Sequence, residues 1–475
     1  MKFFKINIIV LLTTTVVNAT LPIGFGQNTT GGEGGIVYHI NTLTELKNAL
    51  LNNGNSTDPK IIYIDSPING YVLEDGSLIN DEVLAPGYTF QKYLDCFSED
   101  GLEAINTSEC QNLLKVRKQG MGKYQNQVKI KVTPNTTIIG NGNKSKLEEI
   151  SIQVSNVNNV IIKNLSIKAP NDLYPEFKPK NGWSSSCDAI NISGSTNVWV
   201  DNCYLSDGDK NVDDEPIYYE NHVERHDGLI DVVNGSDFVT ISNNRFENHV
   251  KTILIGSSDS KTTDRDHLRV SLYNNVFINC QQRIPRVRFG KVHIFNNYYI
   301  STDYKNYPIT YDNEGNIEYK YICMGLGLEC NILSEYNSFN FPKNKKFGYT
   351  NAVILENYGG YIFNDNGSKY NGYNIDLNAL AKKTFESNVA STKANNLVNG
   401  NENPIWVNAN FTTETFNPSE YYSYDTMKNI EKVNELLNYI PSWMFNEVED
   451  SDNFDESEYI DEITTEIFEE SSDLN

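Results

Sequence analysis

The chain has few basic residues, no metal-binding cysteine motif and no long hydrophobic run after its N-terminus. Its 475 residues include 39 Lys and Arg against 62 Asp and Glu, a net charge of −23. This balance argues against nucleic acid as a partner, because phosphate binding requires a basic surface. The absence of a C-x-x-C pair and of any Cys/His cluster argues against zinc binding and thiol catalysis. No later segment is apolar for long enough to cross a membrane.

Residues 1–19 have the pattern of a secretory signal. Lys2 and Lys5 precede the apolar run 8–12, and the small residues of Val-Asn-Ala stand directly before Thr20. A membrane anchor is the alternative interpretation, but the apolar run is too short for one. We therefore expect a secreted, extracellular protein whose mature chain begins near Thr20.

The cysteine count and the sequons both bear on an exported protein. Seven cysteines are an odd number, so at least one stays free or pairs outside the chain. Two local pairs are predicted to form disulfides: Cys96 with Cys110, and Cys323 with Cys330. Cys203 and Cys280 end apolar runs and are expected to be small core residues. N-x-S/T sequons, which predict a glycoprotein, occur among others at Asn28, Asn55, Asn106, Asn135, Asn366 and Asn410.

A five-residue pattern recurs through the middle of the chain. It consists of three residues rich in β-branched types, a variable position and then an asparagine, at positions 141, 164, 202, 243, 274 and 296. The shortest steps between these asparagines, 22 and 23 residues, are near one coil of a parallel β-helix. The longer steps are one coil plus an inserted loop. At such a corner we expect the side-chain amides to stack in a ladder and the backbone to be left-handed.

These repeats predict an all-β fold, a parallel β-helix wound as a single solenoid. A β-sandwich with Asn at ordinary turns is the alternative, but its strands would alternate apolar and polar residues more cleanly. A capping box at residues 42–45 predicts a short N-terminal helix through Leu51, followed by a strand over 60–68. Helical spacing over 427–440 predicts a short C-terminal helix packed against the solenoid.

The ends of the chain give the remaining domain boundaries. Residues 447–475 contain thirteen acids and no Lys or Arg, and are predicted to be a disordered acidic tail. The predicted organisation is a signal peptide at 1–19, one β-helix domain at 20–446 and the tail at 447–475. The long inserts 168–187 and 208–226 are expected to wall a groove.

The most informative stretch places acids before bases within short strands. H-D-G-L-I-D sets Asp227 and Asp231 four positions apart, and an otherwise apolar strand carries Lys251. Arginines follow at positions 283, 286 and 288, of which the last two share one strand face. This order indicates a metal-and-cation site on strands, suited to an oxygen-rich anion.

The chain resembles the pectate lyases of polysaccharide lyase family 1 over roughly residues 24–440. The matching runs are G-F-G, T-T-G-G-E-G-G, N-T-T-I-I-G, C-D-A-I-N-I, V-W-V-D, H-D-G-L-I-D, H-V-K-T-I-L-I-G-S-S-D-S and R-I-P-R-V-R-F-G-K-V-H. The resemblance implies a right-handed parallel β-helix whose loops form a substrate groove. It also implies calcium-dependent β-elimination of α-1,4-linked polygalacturonate, the pectin backbone, by a protein that we expect to be monomeric.

The resemblance also assigns roles to individual residues. Asp188, Asp227 and Asp231 match the calcium-binding acids. Arg283 matches the arginine that abstracts the C5 proton, while Lys251 and Arg288 match the cations that hold the substrate carboxylate. Taken singly, each of these residues would be an ordinary turn, strand or surface residue, and their joint order favours the site.

Two positions depart from the family pattern. Asn202 stands where family members usually have His, and its place in the asparagine repeat makes a structural role the expectation. Ser186 stands where some members carry a further acid, which bears on the strength of calcium binding. Asp201 and Asp207 are interpreted as structural, and Arg286 as a structural residue or a source of local positive field.

The chemistry of these residues fits elimination. Cations on the substrate carboxylate stabilise the enolate-like charge that develops when the adjacent proton leaves, and Ca²⁺ can share oxygen ligands between protein and uronate. Neighbouring cations disfavour the charged form of an arginine base, so an alkaline optimum is expected. The competing hypotheses are a pectin lyase acting on methylated pectin, a polygalacturonate hydrolase with paired carboxylates, and a non-catalytic pectin-binding protein.

Overall fold

The strands of the chain stack into three long sheets that wind around one core. The computed structural model describes residues 22–97, 104–178, 182–208, 214–302, 310–311, 317–318, 321–341 and 352–438. The predicted signal peptide and the predicted acidic tail both lie outside these residues. Among the residues described, no helix is long and apolar enough to cross a membrane.

Each turn of the chain contributes one strand to each sheet. The first ten-stranded sheet contains Ile36–Ile40, Lys60–Ile64, Thr136–Gly140, Asn158–Lys163, Thr196–Asp201, Asp237–Ser242, Val270–Tyr273, Lys291–Phe295, Asn331–Glu335 and Ile362–Asn366. The second contains Ile68–Asn69, Lys146–Glu148, Ser166–Lys168, Tyr204–Ser206, Arg245–Glu247, Val276–Ile278, Tyr298–Ile300, Ser338–Asn340, Lys369–Tyr370 and Tyr373–Asn374. The eight-stranded sheet contains Lys129–Lys131, Ser151–Ser155, Ile190–Ser193, Gly228–Val233, Lys251–Ile255, Arg286–Val287, Tyr321–Gly327 and Ala352–Tyr358.

The pairing within these sheets is parallel, apart from the terminal pair Lys369–Tyr370 and Tyr373–Asn374. Parallel neighbours drawn from successive coils are the defining feature of a β-helix, whereas a sandwich is built from antiparallel strands. The predicted all-β, right-handed parallel β-helix is therefore confirmed, and the alternative sandwich is wrong. The strand predicted over 60–68 is two strands, because the chain turns from one sheet into the next after Ile64.

Helices cover one end of the solenoid and flank its sides. The described α-helices are Leu43–Leu51, Asp81–Leu84, Phe90–Asp95, Ser108–Val128, Leu377–Asn399 and Ile430–Asn434. The described 3₁₀ helices are Asn52–Gly54, Ala104–Asn106, Thr262–Asp264, Ile405–Asn408, Pro418–Glu420 and Glu435–Asn438. The first helix begins as predicted, since the Thr42 side chain accepts from the N–H of Glu45 at 3.2 Å. The helices of 21 and 23 residues were not expected from the repeat pattern.

The C-terminal segment packs against the second ten-stranded sheet, as its helical spacing predicts. Val433 is fully buried there, and Met427, Leu436 and Leu437 pack around it. The strand residues in this cluster are Val276, Ile278, Tyr298 and Ile300. The helix is shorter than expected, Ile430–Asn434, and continues as a 3₁₀ turn. Ile440 lies outside the described residues.

The asparagine repeat marks left-handed corners, and corner amides bond between coils as predicted: Asn202 donates to Asn164 at 2.8 Å and Asn274 to Asn243 at 3.2 Å. A second, buried amide ladder, which was not predicted, lies one residue later. Five of the repeat asparagines have φ between 52° and 57°, at positions 164, 202, 243, 274 and 296. The following residue is buried in the core, and in three coils it is an asparagine whose amide bonds to the next coil. Asn244 donates to Asn275 at 3.1 Å, Asn275 to Asn297 at 2.9 Å, and Asn297 to Asn337 at 3.0 Å. The ladder satisfies polar groups that would otherwise be buried without partners.

One of the two predicted disulfides is confirmed and the other is wrong. Cys96 and Cys110 are joined, with their Cα atoms 5.7 Å apart. Cys323 and Cys330 are both free and fully buried. Cys323 lies inside a strand of the eight-stranded sheet and Cys330 directly precedes a strand of another sheet, so both side chains fill the core. Cys203 and Cys280 are buried core residues, as predicted.

The two long inserts stand beside the strands that carry the predicted acids. Each contains a small antiparallel pair, Glu176–Lys178 with Gly182–Ser184 and Ile217–Tyr218 with Asn221–His222. Aromatic contacts join the inserts to each other, since the ring of Phe177 lies 5.4 Å from Trp183 and 4.6 Å from Tyr219. This aromatic cluster joins the insert that precedes Asp188 to the insert that precedes Asp227.

Candidate active site

Three aspartates converge where two neighbouring strands of the eight-stranded sheet begin. Asp188 lies two residues before the strand Ile190–Ser193, and Asp227 directly precedes the strand Gly228–Val233. Asp231 lies within the second strand and is paired in register with Asn191 of the first. Since adjacent parallel strands are roughly 4.8 Å apart, the three side chains share one small region of the surface.

Gly228 makes room for two of these carboxylates. A Cβ atom at this position would lie 2.7 Å from Asp231 Oδ1 and 2.9 Å from Asp188 Oδ1. The Gly228 N–H donates to Asp188 Oδ1 at 3.0 Å, and the Asn191 amide donates to Asp188 Oδ2 at 2.8 Å. Asp231 Oδ1 is buried and has no hydrogen-bond partner. An oxygen in that condition is an available ligand for a cation.

Two of the acids, Asp188 and Asp231, resist ionisation. Burial, and secondly the neighbouring Asp227, raise the pKa of Asp188 to about 6. Burial, followed by Asp188 and Asp227, holds the pKa of Asp231 well above its ordinary value, although Arg283 and Lys251 oppose this shift. A bound cation would relieve the repulsion between these carboxylates.

The residues fit a calcium ion that also takes ligands from outside the protein. Ca²⁺ prefers six to eight oxygen ligands, and aspartate carboxylates are suitable donors. Among the residues described, no group of three or more His, Cys, Asp or Glu side chains is arranged to hold a metal by itself. Asp188 and Asp231 would therefore supply only part of a coordination shell, and an acidic ligand from outside the protein would complete it.

The shifted pKa values predict that calcium and protons compete for this site. Asp188 binds its proton more tightly in the folded protein than its ordinary pKa of 3.8 implies, so the calcium-free protein should lose stability as pH rises from about 4 through about 6. Calcium requires the ionised carboxylates, so calcium affinity should fall as pH drops through about 6. Calcium titrations by calorimetry in buffers of different ionisation enthalpy would measure the protons released. An affinity that is constant between about pH 5 and pH 8 would contradict this prediction.

The predicted cations lie on the next coils, beside the acids. Lys251 is paired in register with Gly228, and on its other side forms a β-bridge with Gln282. Arg283 follows Gln282 and has a left-handed backbone, with φ of 57°. Its carbonyl accepts from the N–H of Ile253 at 2.6 Å, which ties this corner to the strand of Lys251. The fold thus brings Asp227, Lys251 and Arg283 together from three successive coils.

Arg288 and Arg286 lie beyond this point on the same face. Arg288 donates from Nε to Asp259 Oδ1 at 2.6 Å and from Nη1 to the Gly256 carbonyl at 3.0 Å. The Arg286 guanidinium lies 3.8 Å from the centre of the Tyr358 ring. Burial, and then Arg288, lower the pKa of Arg286. All six predicted site residues therefore lie within or next to four consecutive strands of the eight-stranded sheet.

Both departures from the family pattern have a structural explanation. Asn202 has φ of 52° and donates to Asn164 at 2.8 Å, which confirms the structural role expected for it. The Ser186 hydroxyl donates to the buried carboxylate of Asp172 at 2.8 Å. Ser186 is therefore engaged beneath the site. Asp207, interpreted as structural, is buried and contacts His249 Nδ1 at 2.6 Å.

Three contributors to the site could not be identified from the sequence. Gly228 was visible only as the glycine of H-D-G, where a tight turn was the natural interpretation. Glu224 forms an ion pair with Lys251, although it belongs to no motif. Tyr358 contacts Arg286 from a strand more than seventy residues further along the chain. Register between coils, which sequence spacing does not fix, brings these residues to the site.

A methyl group on Gly228 should damage the acidic cluster without unfolding the protein. Gly228→Ala places a carbon against Asp188 and Asp231, and both carboxylates must move. We expect calcium affinity to fall roughly tenfold or more, the effect of disturbing groups that orient metal ligands. Calorimetric titration with calcium would test this. Gly122→Ala is the matched control, since nothing lies within 4 Å of its added Cβ. Unchanged calcium affinity in Gly228→Ala would mean that calcium does not use these two oxygens.

Comparison with known proteins agrees with this geometry. Residues 105–439 match the family model described as pectate lyase. The chain is 33 % identical to a pectate lyase of Bacillus subtilis (strain 168) over 382 residues, which are 78 % of this chain and 86 % of that protein. It is 35 % identical to pectate lyase D of Dickeya chrysanthemi over 384 residues, 78 % of this chain and 83 % of that protein.

A solved structure gives the same result. A pectate lyase bound to a hexasaccharide matches with a TM-score of 0.72 at 27 % identity, covering 89 % of this chain and 97 % of that chain. The parallel β-helix of this chain is thus shared with a pectate lyase. The chain belongs to the pectate lyase family, and it is a lyase acting on polysaccharide.

Proposed function

We propose that this enzyme is a secreted, calcium-dependent pectate lyase that cleaves α-1,4-linked polygalacturonate by β-elimination and releases unsaturated oligogalacturonates. The observation that supports this most is the juxtaposition of Asp188, Asp227 and Asp231 with Lys251 and Arg283 on successive coils. Acids alone would repel a polyanionic substrate. Acids that hold a cation, next to side chains that are themselves cations, would bind it.

The proposed roles follow from the charge that develops during the reaction. The proton on C5 is weakly acidic because the adjacent carboxylate is already negative. Lys251 and Arg288 would hold that carboxylate and stabilise the charge that moves onto it, as donors do in an oxyanion hole. A neutral Arg283 side chain would accept the C5 proton and become the guanidinium. The C5–H electron pair would form the C4–C5 double bond, and the glycosidic oxygen would leave C4 with its bonding pair and take a proton from water. Bound calcium would add positive charge at the same carboxylate.

The backbone at Arg283 supports its assignment as the base. Left-handed φ is uncommon for residues other than glycine, asparagine and aspartate, and residues held there often belong to functional sites. Arg286 and Arg288 instead take regular strand positions or positions next to a strand. Arg283 thus differs from the two other arginines in backbone as well as in sequence motif.

We further propose that the enzyme acts outside the cell. The signal at 1–19 would export the enzyme, and residues 20–446 would form the β-helix domain that acts, as a monomer, on pectin outside the cell. The acidic residues 447–475 would remain as a tail without a role in catalysis. Because the tail and the substrate are both anionic, they would repel each other.

One assay separates this function from its alternatives. Purified mature protein would be mixed with polygalacturonate at alkaline pH, and ultraviolet absorbance of the unsaturated product followed with and without EGTA. We expect absorbance to rise, to stop with chelator and to return with added Ca²⁺. Activity on methylated pectin that is indifferent to chelator would indicate a pectin lyase. Reducing sugar without absorbance would indicate a hydrolase, and neither signal would indicate a pectin-binding protein.

A further inference from the structure

The ammonium group of Lys251 is already paired with a carboxylate of the protein. Lys251 Nζ donates to Glu224 Oε2, and the two side chains are 19 % and 25 % exposed. Glu224 lies on the segment that leads from the hairpin strand Asn221–His222 to Asp227. The proposed function places the uronate carboxylate of the substrate on this same ammonium group. Both carboxylates cannot occupy it in the same way.

The charged residue next to Glu224 has a partner of its own, so Glu224 pairs with Lys251. Arg225, the next residue, is paired with Glu215 at 3.2 Å and lies 4.7 Å from the Phe90 ring. Arg225 is therefore held by Glu215 and Phe90 and does not neutralise Glu224. Among the described ion pairs, Glu224 is seen only with Lys251. If a substrate carboxylate displaces Glu224 from Lys251, the Glu224 carboxylate is left to be solvated by water.

A second carboxylate offers a natural comparison. Asp259 pairs with Arg288, the other cation proposed to hold the substrate, at 2.6 Å. The Asp259 side chain is 63 % exposed, whereas that of Glu224 is 25 % exposed. Water screens an exposed pair, so Asp259 should compete only weakly with a ligand for Arg288. The pair at Lys251 is better shielded and should compete more strongly.

We propose that Glu224 is a specificity-determining residue that occupies the place of the uronate carboxylate on Lys251 until substrate displaces it. This proposal rests on the proposed function, since it requires that Lys251 bind the substrate carboxylate. A charged uronate must break the Lys251–Glu224 pair before it gains its own contact. A methyl-esterified unit meets a neutral pair and has no charge with which to break it. Glu224 therefore weakens binding of the acidic polymer more than binding of the esterified polymer.

The charge of Glu224 can be removed with little change in shape. Glu224→Gln keeps an oxygen that accepts from Lys251, while the ammonium group loses its anionic partner. We expect KM for polygalacturonate to fall roughly three- to fivefold, the scale of a partly exposed ion pair, with kcat unaltered. KM for highly methylated pectin should stay the same. The preference for the acidic polymer, as a ratio of kcat/KM values, should rise by the same factor.

Matched variants separate this effect from general ones. Glu215 pairs with Arg225, outside the proposed site. Glu215→Gln removes that carboxylate and should leave both KM values unaltered. Asp259→Asn should lower KM for polygalacturonate by less than Glu224→Gln does. Glu224→Asp, which withdraws the carboxylate by one methylene, should give an intermediate KM and provides a second test if the Gln variant fails to fold.

The outcomes that overturn the proposal differ from those that overturn the function. If the unaltered enzyme forms unsaturated product, and Glu224→Gln raises KM or lowers kcat, Glu224 positions Lys251 for catalysis and does not compete with substrate. An equal fall in KM on both polymers would also overturn it, because the effect would not depend on the uronate charge. An unaltered enzyme that forms no unsaturated product would instead refute the proposed function.

Discussion

Arg283→Lys should lower kcat on polygalacturonate by about 10²- to 10⁴-fold, the usual contribution of a positioned proton-transfer group. Lysine keeps a basic side chain of similar length, so substrate binding and KM should change little. The ammonium group is a compact charge on a flexible stem, however, and does not present a nitrogen where the planar guanidinium does. The loss corresponds to about 3–5 kcal/mol of transition-state stabilisation. Steady-state kinetics by ultraviolet absorbance would measure it.

A second Arg→Lys change controls for this prediction. Arg269 forms a two-oxygen ion pair with Asp237 at the start of a strand in the first ten-stranded sheet, away from the site. Arg269→Lys should weaken that structural pair and leave kcat unaltered. If Arg283→Lys retained near-normal kcat, another group would have to take the proton. A raised KM with normal kcat would reduce Arg283 to a binding residue.

Asp231→Asn should impair calcium binding while it stabilises the calcium-free protein. The amide has the shape of the carboxylate but lacks its charge, so calcium affinity should fall at least roughly 10- to 100-fold. Without calcium the opposite holds, because burial, and then Asp188 and Asp227, disfavour the ionised form of Asp231 in the folded protein. Removing it should raise the unfolding free energy by about 1–2 kcal/mol near neutral pH. Calcium titration and thermal melts in EGTA would measure the two effects.

Asp201→Asn is the matched control for this pair of effects. Asp201 accepts from Ser242 at 2.7 Å and from Asn243 at 2.8 Å in the first ten-stranded sheet, where it serves structure. Its substitution should lower stability and leave calcium affinity intact. If Asp231→Asn also lowered the stability of the calcium-free protein, the carboxylate would be serving the fold, and its assignment as a calcium ligand would fail.

The sequence predicts the solenoid because each coil repeats the same local chemistry. An asparagine that accepts left-handed φ ends an apolar run, so the corners at 164, 202, 243, 274 and 296 are visible directly. The second, buried ladder was not predicted, for a geometric reason. The corner residue and its successor are both often asparagine, and only the three-dimensional turn decides which amide points inward. Asn275 and Asn297 do so, while Asn274 and Asn296 form the corner.

The site was predictable where a motif carries it and invisible where neighbouring coils create it. The order of acids and bases, together with the family resemblance, locates Asp188, Lys251 and Arg283. The alignment of Lys251 with Gly228, and the pairing of Lys251 with Glu224, depend on the length of the inserts between coils. The error at Cys323 and Cys330 has a similar origin, since residues close in sequence diverge when the chain turns from one sheet into another.

The stacking of coils also determines how the enzyme should lose its activity on heating. Each coil pairs mainly with the coils before and after it, so the molecule behaves approximately as a one-dimensional array whose ends open first. The candidate active site begins at Asp188 and ends at Arg288, with further coils stacked on both sides. Fraying of the terminal coils would leave it assembled. Inactivation should therefore report the cooperative melting of the central coils, and spectroscopic signals from the ends should change at lower temperature.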